Sequence, residues 1–161
     1  MEHQIIVNKV SDWFKDNISN CDIEKEVMYK INLQRKGLNK QFFRVDLIVK
    51  DKNTNREIGV ECKTLKDSNN FRKLMAGVGQ AYILQRVFGL SYLAIEVEAD
   101  MLPNKNSFEF YKRESLLENI HQELGIGILF VKNNVALVRE ARFVEPFAKT
   151  LFTNLKGESQ K

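Results

Sequence analysis

Two acids and a lysine lie in segments that are otherwise predicted to be buried β-strands. Asp46 interrupts the apolar run 45–49, and Glu61 and Lys63 end a second apolar run. Side chains alternate faces along a strand, so Glu61 and Lys63 are predicted to point to the same face. Charges at the end of a buried strand cost free energy unless they bind something. If the two strands form a hairpin, two carboxylates and an ammonium group meet. Such a group of side chains can bind a divalent cation and place a water molecule beside it.

This arrangement resembles the PD-(D/E)xK nuclease superfamily. Its signature is an acid on one strand, followed by a carboxylate, any residue and a lysine on the next strand. The matching positions are Asp46, Glu61 and Lys63, although Val45 stands where the superfamily name has proline. The resemblance covers about residues 1–100, since the order of predicted elements around the motif also fits. It implies a restriction endonuclease-like α/β fold and identifies no subfamily.

The resemblance also implies an activity, namely metal-dependent hydrolysis of phosphodiester bonds in DNA by an endonuclease. Hard oxygen ligands suit Mg²⁺ or Mn²⁺. Asp46 and Glu61 would be carboxylate ligands, and the backbone carbonyl of Cys62 a third ligand. Lys63 would orient or deprotonate the attacking water and stabilise charge on the phosphate. The alternative is a plain ion pair between Glu61 and Lys63, but exposed pairs contribute only about 0–1 kcal/mol.

Three more side chains are candidates for the same site. Glu26 lies on the polar side of a predicted first strand and could be a further ligand; Glu24 shares that side, and the choice depends on the strand register. Either acid could equally be a solvated surface residue. Gln80 lies on the helix after the motif, where the resemblance implies a glutamine bordering the active site. A core glutamine bonded to the backbone is the equally weighted alternative.

The histidines and the thiol of Cys62 are predicted to be outside the chemistry. His3 and His121 lie far from the motif in sequence and are expected at the surface. Strand alternation turns the Cys62 side chain away from Lys63, so we expect a packed core thiol rather than a nucleophile.

Hydrophobic periodicity predicts the elements that position these residues. The core consists of a helix over 4–18, strands over 24–33, 42–50 and 57–64, a helix over about 70–88 and a strand over 91–97. A helix near 112–124, strands near 126–132 and 135–139, and a helix over 144–155 follow. The core order αβββαβ predicts a mixed sheet with helices on both faces.

The helix after the motif carries the predicted contact with the sheet. Its apolar stripe is predicted to include Phe71, Leu74, Met75, Val78 and Tyr82. Gly77 and Gly79 cost about 1 kcal/mol each relative to alanine. We therefore expect both glycines to allow a close approach between the helix and the sheet.

Basic residues gather around the predicted first hairpin turn and at the start of the helix after the motif. They are Lys30, Arg35, Lys36, Lys40 and Arg44 at the turn, and Arg72 and Lys73 on the helix. A solvated loop and helix face would explain them about as well by charge alone. Beside a site for phosphate chemistry, contacts to a nucleic-acid backbone are favoured, with DNA preferred to RNA.

Composition places the chain among globular proteins. Its 161 residues predict one domain over 1–161, with a core of about 1–100 and an extension of about 101–161. The hydrophobic fraction is 43%, the net charge is +4, and no apolar stretch approaches the roughly 20 residues of a membrane span. Without a signal-peptide start, and with two cysteines, a reducing cytoplasmic location is expected and an iron–sulfur cluster is not.

Two expectations concern partners and turnover. The resemblance implies that a homodimer is possible, because small members of the superfamily often work as homodimers to cut two strands with two sites. The alternative to an enzyme is a catalytically silent nucleic-acid-binding or protein-interaction module on the same fold. The complete set of Asp46, Glu61 and Lys63 argues against that alternative.

Overall fold

A seven-stranded mixed sheet forms the centre of the computed structural model, which describes residues 1–31, 42–98, 108–147 and 152–154. Within those ranges the helices are α1 (His3–Asn17), α2 (Leu65–Ser68), α3 (Phe71–Phe88) and α4 (Phe108–Leu124). The strands are β1 (Cys21–Ile31), β2 (Phe42–Asp51), β3 (Arg56–Lys63), β4 (Gly89–Glu96), β5 (Gly127–Val131), β6 (Val135–Arg139) and β7 (Phe152–Asn154). The predicted mixed α/β architecture and its core order αβββαβ are confirmed.

The strand order β6-β5-β4-β3-β2-β1-β7 combines a meander with a parallel unit. β1, β2 and β3 are antiparallel neighbours, β4 and β5 continue the sheet parallel to β3, and β6 and β7 are antiparallel to their partners. The parallel pairing of β3 with β4 requires a crossover, which α3 provides. As a result, the motif at the end of β3 lies beside the end of β4.

Each face of the sheet is covered by apolar packing. α1 buries Ile6, Val7, Val10 and Phe14 against one face, which we call the α1 face, together with Val60 and Cys62 of β3. The opposite face, the α3 face, packs against α3 and α4 through two further clusters. The predicted core position of the Cys62 thiol is confirmed, and burial raises the pKa of that thiol well above its usual value.

The predicted contact stripe of α3 was only partly right. Its buried residues include Leu74, Gly77, Ala81 and Leu84, whereas Phe71 is 69% exposed and Tyr82 is also exposed. Small residues let a helix axis approach a sheet, so the line of closest contact follows the glycine and the alanine rather than the largest side chains. Asn70 caps the start of α3 by accepting from Lys73 N at 3.2 Å, and Gly89 ends it with a φ of +92°.

The predicted helix over 144–155 is wrong. Residues 140–146 have no regular secondary structure, and Phe152–Asn154 forms β7 beside β1. The segment before it is held by backbone hydrogen bonds, Arg142 N to Gly125 O and Val144 N to Gly89 O, both at 2.9 Å. These bonds to distant residues fix the chain just before and at the start of the predicted helix, which periodicity alone could not anticipate.

None of the helices within the described residues has the length and apolar character needed to cross a membrane.

Candidate active site

Asp46 and Glu61 meet where β2 and β3 stop pairing. The ladder between these strands runs from Asp51–Arg56 to Leu47–Val60. One step further, the same register aligns Asp46 with Glu61, and there Asp46 Oδ2 accepts a hydrogen bond from Cys62 N at 2.8 Å. The side chain of Asp46 thus takes the place of a backbone acceptor at the end of the ladder. Both acids are nearly inaccessible, at 3% and 4% exposure.

The alternation of side chains reverses at Asp46. Leu47 and Val49 pack on the α1 face, whereas Val45 packs on the α3 face, although residues two apart in a regular strand share a face. β1 reverses at the facing position, because Lys25 reaches Asn8 of α1 while Val27 packs on the α3 face. This double reversal explains how an acid in an apolar strand can reach a neighbouring strand end instead of either core.

The Glu61 carboxyl is held in a strongly perturbed environment. Burial, and next the charge of Asp46, raise its pKa from an ordinary 4.5 to about 8. Lys63 acts in the opposite direction, with its Nζ 3.4 Å from Glu61 Oε1. Burial and the charge of Asp46 thus disfavour the ionised form of Glu61, and a bound cation would favour it.

Lys63 is fixed on the α3 face by a close contact with Gly77. A Cβ at residue 77 would lie 2.7 Å from Lys63 Cε, so this helix position must be free of a side chain for the lysine to occupy its place. The expected role of Gly77 is confirmed. Gly79 differs, since a Cβ there would meet nothing within 4 Å, and the expectation that it allows close packing is wrong.

His3 is the clearest correction to the sequence-based prediction. Its Nε2 lies 3.3 Å from Asp46 Oδ2, although 43 positions separate the two residues in the chain. The ring is partly exposed, with 31% of the side chain accessible. α1 begins at His3 and packs along the α1 face, so its first turn lies at the same edge of the sheet as the motif. No local sequence signal indicates this contact.

Gln80 lies on the helix segment that faces Glu61. On this face of β3, Lys63 lies against Gly77 and Gly59 lies against Leu84. Glu61 is between Gly59 and Lys63 on the strand. It therefore faces the intermediate turn of α3, which contains Gln80. The Gln80 Oε1 atom is buried and makes no hydrogen bond within the described residues. A role for Gln80 at the border of the site stays a prediction, and an unsatisfied acceptor at this position is compatible with it.

The register distinguishes the two candidate acids of β1. Lys25 pairs with Leu47 and Val27 with Val45, so Glu26 lies opposite Asp46, while Glu24 pairs with Ile48. The Glu26 side chain is exposed, and its φ of +51° is in the left-handed region, which non-glycine residues seldom adopt. Such backbone conformations are often found at functional sites.

The candidate nucleic-acid-binding residues fall into three groups. Arg44 and Arg72 are exposed, and Lys73 is exposed with its Nζ 3.3 Å from Asp67 Oδ1. Arg44 precedes Asp46 by two residues, and Arg72 opens the helix that carries Gly77. Arg35, Lys36 and Lys40 lie outside the described residues, so their contribution stays a prediction.

Glu96 is a buried acid near the site that the sequence-based prediction did not single out. It ends β4, is 2% exposed, and its Oε1 accepts from Leu65 N at 2.9 Å. The same carboxylate lies 3.0 Å from the amino group of Met1. The bond to Leu65 ties down the turn two residues after Lys63. The signal for it was present, since Glu96 interrupts an apolar strand just as Asp46 does.

The donors available for a metal are two carboxylates and backbone oxygens. Among the residues that the structure describes, no three His, Cys, Asp or Glu side chains converge as a metal site. Mg²⁺ commonly takes only one or two carboxylates from a protein and keeps several waters. The hard carboxyl oxygens of Asp46 and Glu61 therefore fit such an ion, which would displace the Glu61 proton, with the predicted Cys62 carbonyl as a further ligand.

Comparisons with known proteins add little to this geometry. No protein-family model matches the chain, and no curated protein matches it. Among solved structures, Pyrococcus furiosus SfsA in complex with Ca²⁺ is similar to it, with a TM-score of 0.41 and 13% identity. The match covers 87% of this chain and 61% of that protein, so the chain spans less than two thirds of its length. At this level of similarity, function has to be argued from the site itself.

Proposed function

We propose that this protein is a Mg²⁺- or Mn²⁺-dependent nuclease that hydrolyses phosphodiester bonds, with DNA as the preferred substrate. One observation carries the proposal: two buried carboxylates, Asp46 and Glu61, adjoin at the end of β3 with Lys63 3.4 Å from Glu61. A structural role explains this poorly, because burial, and next the charge of Asp46, raise the pKa of Glu61 and so disfavour its charged form. Strongly shifted pKa values cluster at catalytic sites, so the surroundings of Glu61 are a candidate active site.

A bound divalent cation would supply charge neutralisation at the phosphate and a more acidic water. The residues of the chain have complementary tasks. Asp46 and Glu61 would hold the cation, and Lys63, fixed against Gly77, would hold the attacking water and stabilise charge on the phosphate oxygens. Arg44, two positions before Asp46, and Arg72, at the start of α3, are both exposed and would contact phosphates that flank the scissile bond.

The direct test is cleavage of a substrate panel: plasmid, linear duplex, single strand, flap and four-way junction, each with Mg²⁺ or Mn²⁺. We expect the wild type to cut at least one substrate and EDTA to stop it. Glu61→Gln keeps the shape but loses the ligand charge, so it should be inactive and exposes any contaminating nuclease. Asp22→Asn is the matched control: Asp22 is an exposed acid of β1 paired with Lys52, away from the site.

Lys63→Ala separates catalysis from binding. If the lysine acts in the transition state, turnover should fall by orders of magnitude while DNA affinity stays near that of the wild type. Cleavage at the wild-type rate would remove Lys63 from the mechanism. An intact panel under wild type, or equal cutting by Glu61→Gln, would instead favour the silent binding module on the same fold.

A further inference from the structure

We propose that His3 is a positioning residue for Asp46: it fixes one oxygen of that carboxylate so that the other is presented to a divalent cation. The inference rests on the proposed function and adds a residue from α1 to a site otherwise built from β2, β3 and α3. It starts from the contact between His3 Nε2 and Asp46 Oδ2 at 3.3 Å.

Besides Glu61, two groups contact the Asp46 carboxylate, and both approach the same oxygen. Cys62 N donates to Oδ2 at 2.8 Å, and His3 Nε2 lies 3.3 Å from that same atom. Oδ1 is outside both contacts. Glu61 is restrained in a similar way, since Lys63 Nζ lies beside its Oε1. Each carboxylate is thus oriented through one oxygen, which is how the outer partners of metal ligands commonly act.

The position of His3 is imposed by the fold. It opens α1, and Ile6 and Val7 of the next turn are fully buried with Leu47 in the cluster on the α1 face. The helix start is therefore anchored to β2, one residue from Asp46. Within the described residues, the exposed neighbour Gln4 bonds only along its own helix, from Nε2 to Asn8 Oδ1 at 3.1 Å. Gln4 is accordingly a matched control for changes in this turn.

The contact requires a particular tautomer. A carboxylate oxygen only accepts hydrogen bonds, so the His3 nitrogen that faces it must carry the hydrogen, at Nε2. His121 is the opposite case, because its Nδ1 lies 3.0 Å from the carbonyl oxygen of Ile126 and must carry the hydrogen there. The chain has two histidines, so each serves as the internal standard for the other.

Two measurements test the inference. In the metal-free protein, long-range ¹H–¹⁵N spectra should show His3 with a hydrogen on Nε2, and the neutral His121 ring with its hydrogen on Nδ1. Exclusive Nδ1–H at His3 would overturn the assignment.

In calorimetric titration with Mn²⁺, His3→Ala should raise Kd by about 10–100-fold, as is typical when a partner of a metal ligand is lost. His3→Gln, which keeps a donor at similar reach, should recover part of the loss.

The controls separate this inference from the proposed function. Gln4→Ala should bind Mn²⁺ like the wild type, and Tm values of all variants exclude a fraying helix as the cause. Equal Kd for His3→Ala and wild type would overturn the positioning role, as would tighter binding, which would mean that His3 competes with the cation. If the wild type itself binds no Mn²⁺ and matches Asp46→Ala, both the metal site and the role of His3 are wrong. If Asp46→Ala weakens Mn²⁺ binding but the His3 variants bind with the Kd of the wild type, the positioning role is wrong and the nuclease proposal stands.

Discussion

Gly77 of α3 lies against the side chain of Lys63, so closely that a Cβ at residue 77 would be 2.7 Å from Lys63 Cε and 3.2 Å from its Cγ. The lysine of the motif is therefore held between a strand end and the backbone of a helix. Because a misplacement of about 1 Å can cost about 100-fold in rate, the close packing of Gly77 against Lys63 bears directly on function.

Gly77→Ala should reduce cleavage without unfolding the protein. The added methyl group must displace the Lys63 side chain, which is flexible enough to move at little cost in stability but would then leave its place beside Glu61. We expect turnover to fall at least tenfold with DNA affinity retained, measured by single-turnover cleavage and by binding in EDTA.

Gly79→Ala is the matched control for that substitution. Nothing lies within 4 Å of a Cβ at residue 79, so alanine gains helix propensity without a clash. The gain of about 1 kcal/mol should raise Tm by about 2–4 °C and leave cleavage unchanged. Equal effects of the two alanines on turnover would contradict the close contact between Gly77 and Lys63.

The raised pKa of Glu61 predicts a pH-dependent stability for the metal-free protein. The folded pKa of about 8 lies above the ordinary value of 4.5, so the folded state holds this proton more tightly. Stability from this group is complete below pH 4.5 and is lost as pH rises through 8. In urea unfolding with EDTA, the free energy of unfolding of Glu61→Gln should therefore increase relative to that of the wild type as pH rises from 4.5 to 8.

A companion measurement uses the cation. Mn²⁺ must displace the Glu61 proton, so its affinity should rise with pH up to about 8 and level off above it. Asp22→Asn is the control for changes in net charge. A stability difference between wild type and Glu61→Gln that is the same at pH 5 and pH 9 would show that burial does not perturb this carboxyl.

The motif and the core order could be predicted because they depend on local patterns. An acid within an apolar strand, a Glu-x-Lys strand end and capping residues at Asn70 and Gly89 each have a local physical reason. The stripe of α3 was predicted less well, because packing favoured the small residues Gly77 and Ala81 over the exposed Phe71. Periodicity identifies an apolar face but not the line of closest contact along it.

The contribution of α1 to the site could not be predicted from local sequence. His3 reaches Asp46 only because α1 runs along the sheet with its first turn at the motif edge, which is a tertiary relationship. The reversal of side-chain faces at Asp46 could not be predicted either, because strict alternation would place Val45 and Leu47 on the same face, whereas they pack on opposite faces. The helix expected over 144–155 failed for the same reason, because Val144 N bonds to the distant Gly89 O and Phe152–Asn154 pairs with β1.

Substitutions of Glu26 and Glu24 test which acid of β1 belongs to the site. Glu26 lies opposite Asp46 in the sheet, so Glu26→Gln should weaken Mn²⁺ binding, whereas Glu24→Gln, opposite Ile48, should not. Glutamine keeps the side-chain size and removes only the charge. Calorimetric titration gives the Mn²⁺ dissociation constants of both variants. Equal affinity in Glu26→Gln and the wild type would show that Glu26 is a solvated surface residue and not a ligand.

The basic residues of the turn between β1 and β2 should anchor nucleic acid by charge. Each phosphate contact adds about −0.9 to the slope of log K against log salt, so replacing Arg35, Lys36 and Lys40 by serine should flatten that slope by about 2–3. Binding should weaken alike for all sequences, since phosphate contacts carry no sequence information. Fluorescence anisotropy in EDTA over a salt series provides the measurement.

The control for the basic turn must remove the same net charge elsewhere. Lys15 lies in the last turn of α1, Lys50 lies near the end of β2 away from Asp46, and Lys52 directly follows that strand; all three are exposed. Replacing them by serine changes the net charge equally but removes no cation near the proposed site. If both triple variants flatten the slope by the same amount, the attraction is a property of overall charge and the turn has no special role. A slope that changes only in the turn variant would assign the phosphate contacts to Arg35, Lys36 and Lys40.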